Sequence, residues 1–480
     1  MKKEKSTKSN VYGIMMMMEG VMLLIPLAVL PFYPKEAVYI PCFVIPGGLS
    51  VILGKIVCLK NKTLSTVFQE NESSRVVLFS WIYGFFLSAL PFCGLKGYRW
   101  TQILFESVSG LTTTGLSVLD VENMAHIYLF YRSFLQFLGG VGFVMMVLVF
   151  IQDKDSMEMY SAEGHPDKIM PNIGMTAKVI LLMYSGFLAA GTLLYVVSGM
   201  PFFDSMLHAM CALSTGGFSN KLASIGAYRS IKIELVTIVL MLVGTTNFAA
   251  LLLMIRRKFR QFCRVSEIRF LAALVVIFVP LMTVFLAYQN GYDMAESFRL
   301  SFFNAFSALS TTGYATCDYS AWGPGAVGIM ILLMLIGGGA GSTAGGIKLS
   351  RVYLVMRRFI YQVGRRFEPE RQVRSLYYVK PVEGRTQIKG KVLEEAETYM
   401  RMYLFLYICG VLLLTATAGC SLTEAGFEFA SALGTVGLSI GVTSPDANNA
   451  TLLVEIAGMV LGRLEIFTVF LGLASLRKKF

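Results

Sequence analysis

Charged side chains are scarce. Asp, Glu, Lys and Arg make up 15% of the 480 residues, where an ordinary soluble domain carries about 25%. That excludes a soluble globular protein, and no stretch is polar enough for a separate soluble domain. Histidine is scarcer still: His126, His165 and His208 stand without ligand spacing. The eight cysteines include no CxxC pair. Metal ligation and dithiol chemistry therefore have no support in the spacing, and the cysteines read as small buried apolar residues. No Ser/His, paired-Asp or metal constellation falls at membrane depth, so an intramembrane enzyme lacks its reacting groups. Basic stretches interleaved with aromatic platforms are missing too, which argues against nucleic acid as a partner. No bound cofactor is expected.

What the chain has in quantity is apolar surface. Hydrophobic residues make up 55% and mean hydropathy is +0.62, the composition of an integral membrane protein with many spans. Candidate spans are Val11–Pro31, Val38–Leu59, Val76–Phe92, His126–Gln152, Lys178–Ser198, Ile231–Ile255, Phe270–Gln289, Gly325–Phe359, Tyr399–Ala418 and Thr451–Leu473. The first has no small-residue cleavage site and is followed at once by another, so it is expected to stay in the protein. Net charge is +12, and the basic residues are clustered. Clusters lie at Lys2, Lys3, Lys5 and Lys8, around Lys60 and Lys62, at Arg256–Arg260, from Arg357 to Arg374, and at Arg477–Lys479. Counted from a cytoplasmic N-terminus, every cluster falls on the same side. The positive-inside rule then makes both termini cytoplasmic.

One phrase occurs four times, at intervals of roughly one hundred residues. It reads Leu111-Thr112-Thr113-Thr114-Gly115, Leu213-Ser214-Thr215-Gly216-Gly217, Leu309-Ser310-Thr311-Thr312-Gly313 and Leu433-Gly434-Thr435-Val436-Gly437. The flanks match as well. Nine positions before each glycine stands a polar residue: Glu106, His208, Asn304 or Glu428. Each phrase follows a short apolar segment: Tyr98–Leu111, Phe203–Leu213, Ala295–Leu309 or Thr423–Leu433. These are shorter than the roughly 20 residues a crossing helix needs, so they are re-entrant half-spans. Two leading spans are thus followed by four units of span, half-span, loop and span. Domain bounds are 1–75, 76–152, 153–265, 266–398 and 399–480.

Non-helical backbone at membrane depth survives only when it is buried in protein or faces water. Four such loops are therefore expected to surround one aqueous path, with rings of carbonyls replacing the water around an alkali cation. Successive carbonyls pointing the same way need φ > 0 in alternation, which glycine adopts without steric cost. The polar residue nine positions back is expected to anchor the half-helix rather than to meet the ion.

On these four phrases, and on Phe130–Gly142 (FYRSFLQFLGGVG), Gly337–Lys348 (GGGAGSTAGGIK) and Gly462–Thr468 (GRLEIFT), the chain resembles the Trk/Ktr/HKT superfamily of potassium transporters. It is most similar to the TrkH-type membrane subunit. The resemblance implies an all-α integral membrane protein. In it, four pseudo-symmetric membrane-pore-membrane units surround one central pore, behind two leading transmembrane helices. It implies a K⁺-binding selectivity filter at Thr113, Thr114, Gly115, Thr215, Gly216, Gly217, Thr311, Thr312, Gly313, Thr435, Val436 and Gly437. It further implies channel-like or ion-coupled (symport) potassium uptake at the cell inner membrane, a homodimer, and a cytoplasmic ring of nucleotide-binding regulatory subunits. Glycine at all four fixed positions goes with potassium rather than sodium. The fourth strand departs towards the Ktr-type pattern.

Gly337, Gly338, Gly339, Gly341, Gly345 and Gly346, ending at Lys348, interrupt the candidate span Gly325–Phe359. Glycine disfavours helix, so a broken helix with an intramembrane loop is expected. The loop is read as a gate below the filter, with close packing of small residues as the alternative. It lacks the spacing of a nucleotide phosphate loop. If it is a gate, deleting Gly338–Thr343 raises flux. Arg463 lies inside the last span. It is read as a pore-facing charge that repels cations or holds the gate loop, or as one partner of a structural carboxylate. Glu465, two residues on, faces elsewhere. Glu455 is read as lying near the extracellular end, where it attracts cations. The stretch Arg357–Lys391 is read as a docking surface, or as a contact for membrane lipid head groups. The alternative functions are the ion-conducting subunit of an ATP-driven pump and, from another class, an intramembrane enzyme.

Overall fold

The computed structural model describes residues 11–60, 70–142, 173–367 and 375–477. The basic N-terminus, Lys62, residues 143–152 of the fourth candidate span, and Lys478–Lys479 lie outside them.

Two leading helices, α1 (Val11–Met22) and α2 (Ile40–Lys60), pack along one another. The contact is close because Gly13 and Gly20 of α1 lie against the backbone carbonyls of Gly54 and Gly47 of α2. Where lipid removes the hydrophobic drive, such small-residue seams hold helices together.

Unit 1 comprises α3 (Glu70–Ala89), the half-helix α4 (Trp100–Leu111) and α5 (His126–Val141). Unit 2 comprises α6 (Ile173–Val197), the half-helix α7 (Phe202–Leu213), α8 (Ile231–Thr245), α9 (Phe248–Ile255) and the single turn α10 (Phe259–Phe262). Unit 3 comprises α11 (Ser266–Asn290), the half-helix α12 (Met294–Leu309), α13 (Pro324–Ile336) and α14 (Leu349–Arg365). A hairpin follows, β1 (Tyr377–Lys380) and β2 (Gly384–Gln387), antiparallel with Tyr377 opposite Gln387. Unit 4 comprises α15 (Gly390–Ala418), the half-helix α16 (Leu422–Gly434), α17 (Asn449–Arg463) and α18 (Ile466–Arg477).

The half-helices have 12, 12, 16 and 13 residues, too short to cross. Their last turns are wholly buried. The long helices bury one face and leave residues such as Leu182, Val197 and Val276 outside, each more than 70% exposed. An apolar surface of that kind suits lipid.

Two expected spans are not single helices. Ile231–Ile255 breaks after Thr245, and the two pieces meet at 117°. The cause is Asn247, whose side chain accepts from the Ala249 N–H (2.7 Å) and starts a new helix. Thr451–Leu473 breaks after Arg463 at 99°, where Glu465 takes the left-handed conformation (φ 57°). The glycine-rich break between α13 and α14 is present as expected.

Candidate functional site

The four half-helices end alike. Thr113, Thr215, Thr311 and Thr435 have φ of 55°, 53°, 54° and 49°. The next residue's N–H reaches back to a carbonyl one turn earlier: Thr114 to Ser109 (3.0 Å), Gly216 to Cys211 (2.9 Å), Thr312 to Ser307 (3.0 Å) and Val436 to Ser431 (2.8 Å). This is a Schellman ending with threonine where glycine is usual. The left-handed region costs a non-glycine residue about 1–2 kcal/mol, so four instances mark a constrained site. The expectation that glycine alone supplies φ > 0 is corrected here. Threonine supplies the first reversal in each strand and glycine the second, with φ of 94°, 70°, 79° and 95° at Gly115, Gly217, Gly313 and Gly437.

These strands close on one another. A Cβ on Gly115 would overlap the Gly216 carbonyl oxygen. One on Gly217 would overlap that of Thr312, one on Gly313 that of Val436, and one on Gly437 that of Thr114. The order runs unit 1 to 2 to 3 to 4 and back to 1, so the four strands form a ring with no room for a side chain at any of its glycines. Above it opens a vestibule of about 730 Å³ bounded by all four glycines. The half-helix C-termini converge below the ring and carry partial negative charge.

The residues nine positions before each glycine hold the strand that leaves the ring. Glu106 accepts from Ser117 (3.1 Å) and Val118 N–H (3.3 Å). His208 meets Ser219 (3.1 Å), and Asn304 donates to Thr316 (3.0 Å). Glu428 accepts from Ser439 (2.7 Å) and the Ile440 and Thr443 N–H groups (3.0 Å each). They are anchors, of the outgoing strand rather than of the half-helix alone. Sequence reasoning missed two further residues on α5 that hold this region. Arg132 is buried against Glu106 (2.6 Å) and lies over the Phe218 ring (4.0 Å), which ties unit 1 to unit 2. Gln136 grips strand 2 through the Gly216 carbonyl (2.6 Å) and the Phe218 N–H (3.0 Å). The signal available was two polar residues four apart on one face of an apolar helix. Glu455 does not lie at an open mouth. It is fully buried and accepts from Thr443 (2.9 Å), beside the Glu428 network.

Residues 337–348 lie on the opposite side of the ring from the vestibule. Thr343 donates to the Leu213 (3.0 Å) or Gly244 (2.9 Å) carbonyl and meets the Thr215 hydroxyl (3.2 Å). The Gly345 N–H donates to the Thr311 hydroxyl (2.8 Å). A Cβ on Gly345 would overlap the Thr435 hydroxyl and the Gly434 carbonyl. The break in unit 2 holds the far side of the loop. The Gly339 N–H donates to the Thr245 carbonyl (3.0 Å), the Phe248 N–H to that of Gly341 (3.1 Å), and the Asn247 amide to that of Ala340 (2.5 Å). Lys348 turns back onto the Ala344 carbonyl. Of the four ring threonines, Thr215 and Thr311 are thus engaged by the loop. The hydroxyls of Thr113 and Thr435 are buried and have no partner among the described residues. Beyond the loop lies a second cavity of about 480 Å³, lined in part by Ala340, Lys348, Arg351 and Glu465.

Arg463 ends α17 at the bend. Its guanidinium donates to the Gly139 and Gly140 carbonyls of α5 and lies 5.5 Å from the Trp81 ring centre. The carbonyls it reaches are those of unit 1, not of the glycine-rich loop. Glu465 pairs with Arg351 (2.7 Å) at the start of α14. Among the described residues no group of three or more His, Cys, Asp or Glu is placed to hold a metal ion.

A sequence model described as "TrkH: Cation transport protein" matches residues 41–478. The chain belongs to the TrkH family of cation transport proteins. This TrkH-family chain is 28% identical to the Trk system potassium uptake protein TrkG of Escherichia coli, over 96% of both chains. It is 31% identical to TrkI of Halomonas elongata, over 83% of this chain and 82% of the other. Its fold matches the crystal structure of the potassium transporter TrkH from Vibrio parahaemolyticus with a TM-score of 0.83 at 26% identity, covering 95% and 96% of the two chains. The TrkH-family chain is therefore a multi-pass membrane transport protein and not an enzyme.

Proposed function

We propose that this chain takes up potassium across the cell inner membrane through the ring of four strands, with residues 337–348 as its gate. The observation that carries the reading is the closed order of contacts among Gly115, Gly217, Gly313 and Gly437. A dehydrated K⁺ at such a ring trades its water for main-chain oxygens, and the half-helix C-termini favour its charge. The filter comprises Thr113–Gly115, Thr215–Gly217, Thr311–Gly313 and Thr435–Gly437. The loop's bonds to Thr215 and Thr311 hold it against the inner end of that filter, which suits a barrier. Arg463 serves by fixing α5 behind strand 1 and by adding positive charge below the ring.

The deciding experiment is ion flux into proteoliposomes under K⁺, Rb⁺ and Na⁺ gradients, for the natural chain and for Gly115→Ser. The natural chain passes K⁺ and Rb⁺ over Na⁺. The serine variant, whose Cβ crowds the Gly216 carbonyl, loses discrimination or conduction; an unchanged ion preference sinks the filter assignment. A homodimer, cytoplasmic termini and a nucleotide-binding ring docked on Arg357–Lys391 complete the proposal. Mass photometry of the detergent-solubilised chain tests the first, cysteine labelling from each side the second, and pull-down against the charge-reversed stretch the third.

A further inference from the structure

Glu19 lies in the middle of the first span, in α1. Its side chain is 5% exposed, and neither carboxyl oxygen has a hydrogen-bond partner among the described residues. No part of the conducting ring uses it. It lines a cavity of about 10 Å³, the least that holds one water. Apart from Ser88 and Tyr131 its lining is apolar, including Leu23, Phe134, Leu138 and Leu111, the last residue of α4 before strand 1.

The groups that face Glu19 offer no countercharge. On α3, Tyr83 is bonded to Ser50 of α2 (2.8 Å), and on α5, Tyr131 donates to the Ser88 carbonyl (2.8 Å). Cys58 of α2 lies further along the seam, beside Gly13. The charged residues of these elements lie elsewhere. Lys55 and Lys60 of α2 are exposed, Arg75 is in the first turns of α3, Arg132 of α5 is held by Glu106, and His126 by Glu36. An ionised carboxylate there would be desolvated without compensation, a cost of several kcal/mol or more. A bound alkali cation would need several oxygens, and the cavity offers only Glu19, Ser88 and Tyr131. A proton, with at most one water, is the occupant that fits.

We infer that Glu19 is a proton-binding site outside the pore, neutral in this conformation, whose occupancy biases strand 1. Release of the proton to water leaves a carboxylate that must be hydrated. The cavity then has to widen between α1, Leu111 and α5. Leu111 is the foot of strand 1, and its carbonyl lies against Gly139, whose own carbonyl Arg463 holds. Widening at Glu19 therefore shifts the ring's attachment in unit 1. An intramembrane ionisable residue is a functional site by default, and this one has a stated route to the ring.

The flux arm of the test rests on the proposed function; the spectroscopic arm does not. Infrared spectra of the full chain in lipid are compared with those of Glu19→Gln, which keeps the shape of the neutral acid. The carbonyl stretch of a protonated, deuterium-exchangeable carboxylic acid is expected to lose one component in the variant. Rubidium flux of the natural chain is expected to change with pH, and that of Glu19→Gln to lose this dependence. Glu19→Asp keeps an acid and moves the midpoint, which serves if the glutamine variant does not fold. Identical infrared spectra overturn the site, as does a signal that titrates with Na⁺ at fixed pH. An unchanged pH profile in a folded glutamine variant overturns the coupling to strand 1. Loss of the infrared component in a chain that passes no potassium supports the site and counts against the proposed function instead.

Discussion

Replacing Thr343 by valine removes one hydroxyl from the contact between the glycine-rich loop and the ring. That hydroxyl has one proton to give, to the Leu213 carbonyl (3.0 Å) or the Gly244 carbonyl (2.9 Å), and it also meets Thr215 (3.2 Å). All of these atoms are buried. A net hydrogen bond contributes about 0.5–1.5 kcal/mol, and a buried acceptor left alone adds to the loss. The closed arrangement should therefore lose about 1–2 kcal/mol. The other ties of the loop remain, from Gly339, Gly341 and Ala340 to the unit 2 break. A loss of that size raises the open-to-closed ratio about 5- to 30-fold. If the loop is closed most of the time, flux rises by the same factor. The assay is rubidium uptake into proteoliposomes at matched protein density, with thermal unfolding in detergent as the check on folding. Natural flux from a folded Thr343→Val chain would refute the view that this loop limits conduction.

Gly313→Ala should abolish flux, because its Cβ overlaps the Val436 carbonyl; Gly328→Ala, with open space around it in α13, should leave the same uptake assay unchanged. Glu106→Gln leaves Arg132 buried without its charge partner, at a cost of about 3–5 kcal/mol. The melting midpoint in detergent should fall, and adding Arg132→Met should restore part of it. Lys221 and Arg229 line the vestibule, and among the described residues Asp318 is its one acidic side chain. Lys221→Glu should speed potassium entry at low ionic strength, by about 1 kcal/mol at most. The gain should disappear at about 1 M salt, where charges are screened within about 3 Å; a salt-independent gain would place the effect elsewhere.

Much of the site was legible because its requirements are local. A short apolar segment ending in Leu-x-Thr-x-Gly states that a half-helix stops and that the backbone reverses at the glycine. The polar residue nine positions back lies on the same half-helix as the strand it anchors, so the repeat exposed it. Arg132 and Gln136 were missed because their partners belong to other segments, and the repeat has no counterpart for them. The breaks after Thr245 and Arg463 were missed for a different reason. Apolar residues on both sides keep hydropathy high through the bend, and only a cap such as Asn247 betrays it. Arg463 was placed at depth from its position in the run, but nothing local names the Gly139 carbonyl as its partner.

From the order of residues alone came the membrane class, the two leading spans, the four half-helices and the glycine in each strand. Each of these follows from composition, length or a backbone preference within a few residues. Folding in three dimensions decided the rest: the closed succession of strand contacts, the threonines held left-handed, the loop fastened to Thr215 and Thr311, and the acid stranded at Glu19. These depend on which distant segments meet. In a chain whose spans are almost uniformly apolar, that choice is made by close packing and by the need to satisfy buried polar groups, neither of which can be read along a single segment.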